Sequence, residues 1–389
     1  MLLNLDAILG IGIGAALNDN QQHVATSINT FFNNGGTLPP AFVSLFGLTG
    51  PALGNVLTQL SGETAVGTQQ TTFNAMTQFM GVMTDPFVAT RSEDASCEPR
   101  WKVWVAGFGG SQTADGNTAV GSNNTISRVY GTAVGADYRV SPSTLAGFSL
   151  AGGGANFSVA NGGSGRSDLF QAGGFVRHNA GPAYLAAALA YGWQDVTTDR
   201  TVTAAGIDRL RAEFNANAFS GRLESGYRFV TPGLGGIGIT PYGAGQFATL
   251  NLPAYAETVV SGASTFAVAY GSKSVTDTRG ELGLRTDKSF AMSNGILMLR
   301  GRAAWAHDFN TDRNVTALFQ TLPGAAFVVN GAAQAHDSAL ATAAAEMKWL
   351  NGFSLAAIFE GQFSNVTRSY AGKGVVRYTW GGPGQLAAN

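Results

Sequence analysis

The chain has 389 residues, of which 53 are glycine and only 12% are charged. Glycine is about twice as frequent, and charge about half as frequent, as in a typical soluble domain, which argues against a soluble enzyme of this size. No apolar run reaches the roughly 18 residues that a spanning helix needs, which leaves a membrane β-barrel possible. A net charge of −1 argues against a nucleic-acid-binding protein.

Charge is unevenly distributed along the chain. The first 90 residues contain four acids and no Lys or Arg and carry −4, whereas the rest has 23 cations against 20 acids and carries +3. Two different modules are therefore joined. Cys97 is the only cysteine, which excludes an internal disulfide and a cysteine metal cluster. Met1 to Asn4 lack the basic residues of a secretory signal, so we expect an export signal upstream of this fragment.

Residues 1–60 are predicted to form a small packed unit. The first 17 residues are apolar and rich in glycine, with weak strand character. Asn18 and Asp19 then offer N-caps for an amphipathic helix over 20–33. Two shorter helical patterns follow, at 41–48 and 52–60.

The segment from Ser61 to Asp85 is predicted to be one long and almost uncharged helix, with an N-cap at Ser61 and a stop at Asp85-Pro86. Its length of roughly 35 Å is enough to cross a membrane core. We expect it to thread a pore, although an ordinary core helix would show the same pattern, and a polar linker follows it up to residue 99. The predicted pore-helix residues are Phe73, Asn74, Met76, Gln78, Met80 and Met83.

From Arg100 onwards apolar and polar residues alternate, which predicts strands with one apolar and one polar face. A soluble β-sandwich would also alternate, but strands of about a dozen residues with aromatic ends favour a tilted strand crossing a bilayer. Twelve strands are predicted, at 100–109, 128–139, 144–157, 167–178, 183–195, 212–229, 239–252, 275–287, 295–308, 335–349, 353–364 and 368–380.

The predicted fold is all-β, with a transmembrane β-barrel of 12 antiparallel strands over residues 100–380 and a tail at 381–389. The strand number is even, as a closed bacterial membrane barrel requires. Most connections are alternately short and long, as at the two rims of a membrane barrel. The first strand is apolar on both faces, so its facing stays open. Long polar loops are predicted at 110–127, 158–166, 196–211, 253–274 and 309–334.

The alternation also predicts which charged side chains point into the barrel. On the later strands, charged residues occupy the positions opposite the apolar set, and charge there is tolerable only in a wet or paired lumen. The predicted wall carries nine basic and four acidic groups. These pore-lining residues are Arg222, Glu224, Arg228, Arg279, Glu281, Arg285, Arg300, Arg302, Glu346, Lys348, Glu360, Lys373 and Arg377.

Three motifs resemble the translocator of a monomeric autotransporter. They are Leu-Ser-Gly-Glu-Thr-Ala at 60–65, Arg-Trp-Lys-Val-Trp-Val-Ala-Gly-Phe-Gly-Gly at 100–110, and Gly-Val-Val-Arg-Tyr-Thr-Trp at 374–380. The resemblance covers nearly the whole chain. Residues 19–59 are similar to the junction that follows the secreted passenger in alpha-proteobacterial members.

The resemblance implies a translocator domain of type V secretion that supports export of its own N-terminal passenger to the surface of a Gram-negative cell. The implied partners are outer-membrane lipid, the passenger and the barrel-assembly machinery, and we expect a monomer with no nucleic-acid partner. Val376, Tyr378 and Trp380 are the implied assembly signal. Family members normally end at the final aromatic residue, whereas nine residues follow Trp380 here.

A porin-like passive channel of the outer membrane is the main alternative. A porin has no need of a 99-residue N-terminal extension that ends in a pore-length helix, and it usually has more strands. Part of the autotransporter family cleaves itself inside the pore through Asn chemistry. Asn74 is the only asparagine of the predicted helix, so no cleavage is predicted.

An enzymatic barrel is the other alternative. His307-Asp308 and His336-Asp337 flank the 309–334 loop and resemble acid–base pairs, but such pairs at strand ends are more often structural. The four histidines lack metal-ligand spacing, and no Gly-x-Ser-x-Gly motif occurs. The sequence therefore predicts no catalytic residue, no metal site and no cofactor.

Overall fold

The computed structural model of the chain describes residues 6–10, 16–84, 100–231 and 236–380. Within these ranges, none of the helices has the length and hydropathy that spanning a membrane requires. Some predictions concern residues outside these ranges. They are the predictions about Met1 to Asn4, Cys97, the linker after Asp85 and the tail after Trp380. The helices are α1 (Asp19–Asn33), α2 (Pro40–Val43), α3 (Gly50–Leu60) and α4 (Gly67–Thr84), with 3₁₀ turns at Ser44–Gly47 and Glu63–Val66.

Helix α1 begins one residue before the predicted start. The Asn18 side chain accepts a hydrogen bond from the Gln21 amide at 3.0 Å, and the Gln21 side chain accepts one from the Asn18 amide at 3.1 Å. This reciprocal capping box satisfies two amides that the helix leaves free. The weak strand character of residues 1–17 yields no strand at the described positions of that segment.

The long helix predicted from Ser61 begins later than expected. Ser61 is the C-cap of α3, and Gly62 has a φ of 70° in the left-handed region. A Cβ at Gly62 would overlap the Tyr270 hydroxyl, so only glycine fits this turn. The predicted N-cap at Ser61 is therefore wrong, because the backbone turns at Gly62 before α4 starts.

Twelve long strands form the main sheet, and most extend beyond their predicted ends. They are β1 (Trp101–Ala114), β2 (Thr125–Ser141), β3 (Thr144–Val159), β4 (Gly163–Ala180), β5 (Ala183–Val202), β6 (Asp208–Tyr227), β7 (Ile237–Leu252), β8 (Lys273–Met292), β9 (Gly295–Asp308), β10 (Asp337–Trp349), β11 (Phe353–Phe363) and β12 (Thr367–Thr379).

The main sheet closes on itself. Each strand pairs antiparallel with the next one in the chain, and β6 pairs with β7. The first and last strands then pair from Lys102↔Thr379 to Ala114↔Thr367. The prediction of a closed antiparallel barrel of twelve strands is confirmed. Closure leaves the barrel strands without a free edge.

Two of the predicted long loops are wrong. About two thirds of the residues at 158–166 and 196–211 lie in strands, because β3 to β6 continue their pairing to Val159↔Gly163 and Val202↔Asp208. The polar Ser, Thr and Asp residues of these segments indicated loops. They alternate instead on strands that extend past the apolar band.

The burial pattern settles the facing of the first strand. Trp104 and Phe108 are buried inside the barrel, whereas Val105 is half exposed on the outer face. On β12, Tyr370 and Val376 are likewise exposed outwards. One face of each strand therefore forms an apolar belt around the barrel.

Glycines opposite aromatic side chains explain part of the high glycine content. An inward aromatic ring on one strand lies over a glycine directly across the strand pair, where a Cβ would overlap the ring. The pairs are Trp104–Gly135, Phe108–Gly131, Phe157–Gly165, Phe175–Gly147 and Tyr184–Gly226.

The barrel has a short-turn end and a long-loop end. At the long-loop end, segments between β7 and β8 and between β9 and β10 form a second sheet. Helices α1 to α3 pack on this sheet with a shared core, in which Phe42 meets Phe266 and Phe319 edge-on at 4.8 and 5.1 Å. The second sheet consists of Tyr255–Ala256, Val268–Tyr270, Asn314–Phe319 and Ala326–Asn330.

A substitution at Gly135 tests the aromatic–glycine pairing. Gly135→Val places a side chain where the Trp104 ring lies, so we expect the free energy of unfolding to fall by about 2 kcal/mol, as for overpacked sites. Gly107→Val on the outer face of β1 has open space around its Cβ and serves as the control. Urea unfolding in detergent measures both. Equal stability of the two variants would contradict the pairing.

Candidate functional site

Helix α4 lies inside the barrel, against one half of the wall. It packs on the inner faces of β1 to β7, and its Phe79, Met80 and Met83 are almost fully buried. The facing wall is built largely from small residues, which leave room for the helix diameter. These small residues include Ala106, Ala133, Ala151, Ala155, Ala188, Ala190 and Ala218.

The predicted pore-helix residues divide into an apolar and a polar group. Met76 lies against Gln171 on β4, and Phe73 joins a core with Phe214 and Leu250 nearer the long-loop end. Asn74 and Gln78 lie towards β1 on the polar side, where the Asn74 amide donates to Gln112 Oε1 at 2.5 Å and to Ser127 Oγ at 3.0 Å. The thioether side adapts to an irregular wall of small residues.

The hydrogen bonds of α4 run to amides and hydroxyls of the wall. The Asn74 amide bonds to Gln112 on β1 and Ser127 on β2 rather than to an arginine. Gln70 does bind an arginine, but this is Arg313 of the long-loop end. The bonds from the wall are Gln171 to Ala75 O at 3.2 Å, Gln194 to Thr72 at 2.6 Å and Gln246 to Thr77 at 3.2 Å.

The thirteen predicted wall residues lie on β6 and β8 to β12, with Arg228 directly after β6, largely across the lumen from the helix. Near the middle of the barrel, Arg222 contacts both Glu224 and Glu281 at 2.8 Å. Arg285 contacts Glu224 at 2.5 Å and stacks on the Tyr242 ring at 3.7 Å. The network continues through Arg302, Glu360 and Lys373, with Lys373–Glu360 at 2.8 Å and longer contacts from Arg302 to Glu281 and Glu360.

A second charged group lies nearer the short-turn end. Glu346 is shared by Arg300 and Arg377, with Arg377 at 3.1 Å. Lys348 lies two residues along the same strand. Arg228 pairs with Asp287 at 2.6 Å. Eleven of the thirteen predicted residues therefore form ion pairs within these two groups.

Sequence reasoning missed several carboxylates of this wall. Asp308 forms a two-point ion pair with Arg279, at 2.7 and 2.9 Å, and Asp277 contacts Arg313 at 3.2 Å. The strand alternation used for Arg279 would have found both, because Asp277 and Asp308 have the same parity as the charged residues beside them. Asp308 and Asp287 lower the predicted excess of positive charge from five to three, while Asp277 is matched by Arg313.

A cavity of about 150 Å³ separates α4 from the charged wall. On one side lie Asn74, Thr77 and Gln78 of the helix, and on the other lie Arg222 and Glu281. Removing one partner of a buried ion pair typically costs about 3 to 5 kcal/mol, because the other charge stays behind in a medium of low polarity. A helix without charge can lie beside this network without breaking it.

The histidine–aspartate pairs are rearranged in the fold. His307 binds Asp337 of the neighbouring strand at 2.8 Å rather than Asp308, whose carboxylate is held by Arg279. The His336 ring donates to the Asp308 carbonyl at 2.8 Å. These contacts join β9 to β10 at the long-loop end. They do not form the acid–base pairs that the sequence suggested.

A buried carboxylate lies where the chain passes from α3 into the pore helix. Glu63 accepts hydrogen bonds from the Asn123 amide at 2.7 Å and from the Asn123 side chain at 2.5 Å. Burial nevertheless raises the pKa of the Glu63 carboxyl from 4.5 to about 7, and the hydrogen bonds from Asn123 offset only part of this rise. The contact fixes the start of the pore helix to the loop after β1.

The chain matches a known family over most of the barrel. The family model "Autotransporter beta-domain" matches residues 103–360. The chain belongs to the autotransporter β-domain family. A search of curated proteins found no match.

Solved autotransporter structures have a similar fold. The translocator domain of the autotransporter NalP from Neisseria meningitidis has 16% identity and a TM-score of 0.64, over 80% of this chain and 98% of that chain. The beta domain of the Bordetella autotransporter BrkA has 20% identity and a TM-score of 0.55, over 72% of this chain and 100% of that chain.

This autotransporter domain is therefore an outer-membrane translocator, a unit of transport rather than of catalysis. Such domains carry their own passenger, and the barrel lies in the outer membrane of a Gram-negative bacterium. The apolar belt on the outer face is the surface that contacts lipid. The charged network and α4 lie in its lumen.

A glutamine at position 63 tests the role of the buried carboxyl. Because the folded state holds this proton more tightly than the unfolded chain, the free energy of unfolding is largest below pH 4.5 and falls as the pH rises through about 7. The loss is about 3 kcal/mol at most. In Glu63→Gln this part of the pH dependence disappears.

Urea unfolding of both proteins in detergent between pH 4 and pH 8 measures the difference. Glu213→Gln, on an exposed position of β6, is the matched control and keeps the pH dependence of the unaltered chain. A Glu63→Gln variant with the same slope as the unaltered chain would show that this carboxyl does not titrate in the folded state.

Proposed function

We propose that the barrel exports its own passenger through the lumen and is then closed by α4, which remains as a plug. In this proposal residues 1–60 are the end of the passenger and its junction, and 61–99 are the pore helix and linker. Residues 100–380 are the barrel, and 381–389 are a tail. The long-loop end faces the cell surface, and turns such as Val140–Ser143 face the periplasm.

The path of the chain supports this proposal most directly. Helices α1 to α3 pack at the long-loop end, α4 runs inside the barrel, and β1 begins at the short-turn end. A chain whose barrel is inserted from the periplasm can reach this arrangement only if its N-terminal part crosses the lumen. The paired charges of the thirteen wall residues would give that passage a wet, polar lining.

Side chains on the outer face of β12 support the proposal that the barrel-assembly machinery is a partner. Val376, Tyr378 and Trp380 alternate along the closing strand, and the Tyr378 and Trp380 rings meet edge-on at 5.2 Å. We assign them to the signal that the barrel-assembly machinery reads, and the surrounding belt to outer-membrane lipid. Since the barrel strands have no free edge, we expect a monomer.

Two other roles have less support. A porin-like channel needs an open lumen, whereas α4 fills half of this one. Self-cleavage needs a free asparagine amide in the pore, whereas the Asn74 amide is held by Gln112 and Ser127. We therefore expect the passenger to stay attached at this position.

A reporter fusion tests the export function. With a signal peptide and a reporter placed before residue 19, the segment 19–380 should display the reporter on the cell surface, because the barrel provides the route across the membrane. The same fusion without 100–380 should leave the reporter in the periplasm. Protease digestion of intact cells measures both. Equal digestion of the two fusions would refute the translocator role.

Deletion of residues 1–84 tests the plug. Without α4 the lumen loses its apolar filling, so single-channel conductance in a planar bilayer should rise and the melting temperature should fall. Deletion of residues 1–17 removes nothing from α4 and should leave the conductance unchanged, although it takes Leu9 out of the core around α1. If the longer deletion leaves conductance unchanged, α4 does not close the pore.

A further inference from the structure

A hairpin at the long-loop end touches both the pore helix and α1. It consists of the strands Asn314–Phe319 and Ala326–Asn330, which pair from Asn314↔Asn330 to Leu318↔Ala326, and we call it the latch hairpin. Arg313 directly precedes it. The hairpin belongs to a loop that the sequence indicated only as long and polar.

Arg313 reaches from the start of the hairpin into the mouth of the barrel. Its side chain is only 2% exposed. The guanidinium donates to Gln70 Oε1 at 3.0 Å and to Asp277 at 3.2 Å, and it lies 4.9 Å from the centre of the Phe73 ring. Next to it, the Asn314 carbonyl accepts a hydrogen bond from Gln69 at 2.7 Å. One arginine therefore joins the plug to the wall.

Helix α1 covers the far strand of the same hairpin. Residues 326–330 form an edge of the second sheet, with Asn314–Phe319 as their only strand neighbour there. An uncovered edge presents free amides and carbonyls, and proteins avoid leaving it open. Here the edge is covered by side chains of α1 instead of by another strand.

The spacing of these side chains matches one face of a helix. Asn20, His23 and Ser27 are three and four residues apart, which places them in a row. The Asn20 amide donates to the Asn330 carbonyl at 2.7 Å and its oxygen accepts from the Asn330 amide at 2.9 Å. His23 binds the Val328 carbonyl at 2.8 Å, and Ser27 binds the Ala325 carbonyl at 2.7 Å.

We propose that the latch hairpin couples the exit of α1 to the closure of the pore, with Arg313 as the residue that positions the plug. When α1 is outside, it completes the edge of the hairpin, and the completed hairpin holds Arg313 over Gln70 and Phe73. While α1 is still inside or below the barrel, this edge is open and Arg313 has no fixed place. The contacts of Arg313 that hold α4 in the pore thus form only after the junction has passed through the barrel. This inference rests on the proposed role of α4 as a plug.

Single-channel recording of the full chain in planar bilayers tests the latch. Arg313→Ala should raise the fraction of time that the channel is open by roughly tenfold, the change expected from losing a hydrogen bond to a charged group. Asn20→Ala should raise it in the same direction by a smaller factor. The double variant should open no more than Arg313→Ala, because both changes act through one hairpin.

Two controls keep the test specific. Arg166→Ala removes an exposed arginine from β4, and Asn33→Ala removes an α1 side chain that binds Ala7 instead of the hairpin. Both should behave like the unaltered chain. If Arg313→Ala fails to insert, Gln70→Ala removes the same hydrogen bond from the helix side and should raise opening similarly.

The outcomes separate the latch from the plug. Unchanged opening in Arg313→Ala, or in Gln70→Ala where the former does not insert, overturns the latch. Opening that rises in Arg313→Ala but not in Asn20→Ala also overturns it, because α1 would then have no influence on the plug. In either case, a conductance that rises on deletion of residues 1–84 leaves the plug intact. A deletion without effect refutes the plug and the latch together.

Discussion

A charge inside the barrel must have a partner, and the rest of the structure depends on this constraint. Burying an unpaired ion costs several kcal/mol even after the surroundings relax. The wall meets this requirement through carboxylates shared between arginines, such as Glu224, Glu281 and Glu346. Because the charges satisfy one another across β6 and β8 to β12, the helix needs no ionic partner of its own, and none of the residues of Gly67–Thr84 is charged.

The same constraint separates the lumen into two halves. Alanines and glycines on β1 to β5 let the helix approach closely, and inward aromatic rings fill the space over the glycines. The other half keeps its long charged side chains and the cavity beside the helix. A helix with one apolar side and one side of amides fits between them. A Lys or Arg side chain in this helix would compete for the carboxylates of the wall. This explains why the pore helix, like the rest of the chain before Arg91, contains no cation.

The barrel could be predicted from the sequence because side chains along a strand alternate between its two faces, and this alternation continues over many strands. The same parity predicted Arg222, Arg279 and Arg285 as inward residues, and it would have given Asp277 and Asp308 had it been applied to the strand ends. It could not give the pairing of Glu224 with Arg285, since neighbours across strands depend on register. The break at Gly62 was missed although a left-handed glycine after a helix is a local stop signal, and the contact of Gly62 with Tyr270, 208 residues away, could not be predicted.

The arrangement at the long-loop end was hidden from the sequence for a related reason. A loop rich in Gly, Asn and Thr shows no apolar period, yet Phe319 and Val329 of that loop share a core with Phe42 and Leu57 of the N-terminal helices. Neither set buries its apolar side chains without the other, so the two must fold together. At the edge of the hairpin, the side-chain amide of Asn20 makes the two hydrogen bonds that a neighbouring strand would make. This is possible because one face of helix α1 lies along the strand. We therefore expect the loops after β7 and β9 to reach their final form only in the presence of residues 19–60, since these residues supply half of the shared core.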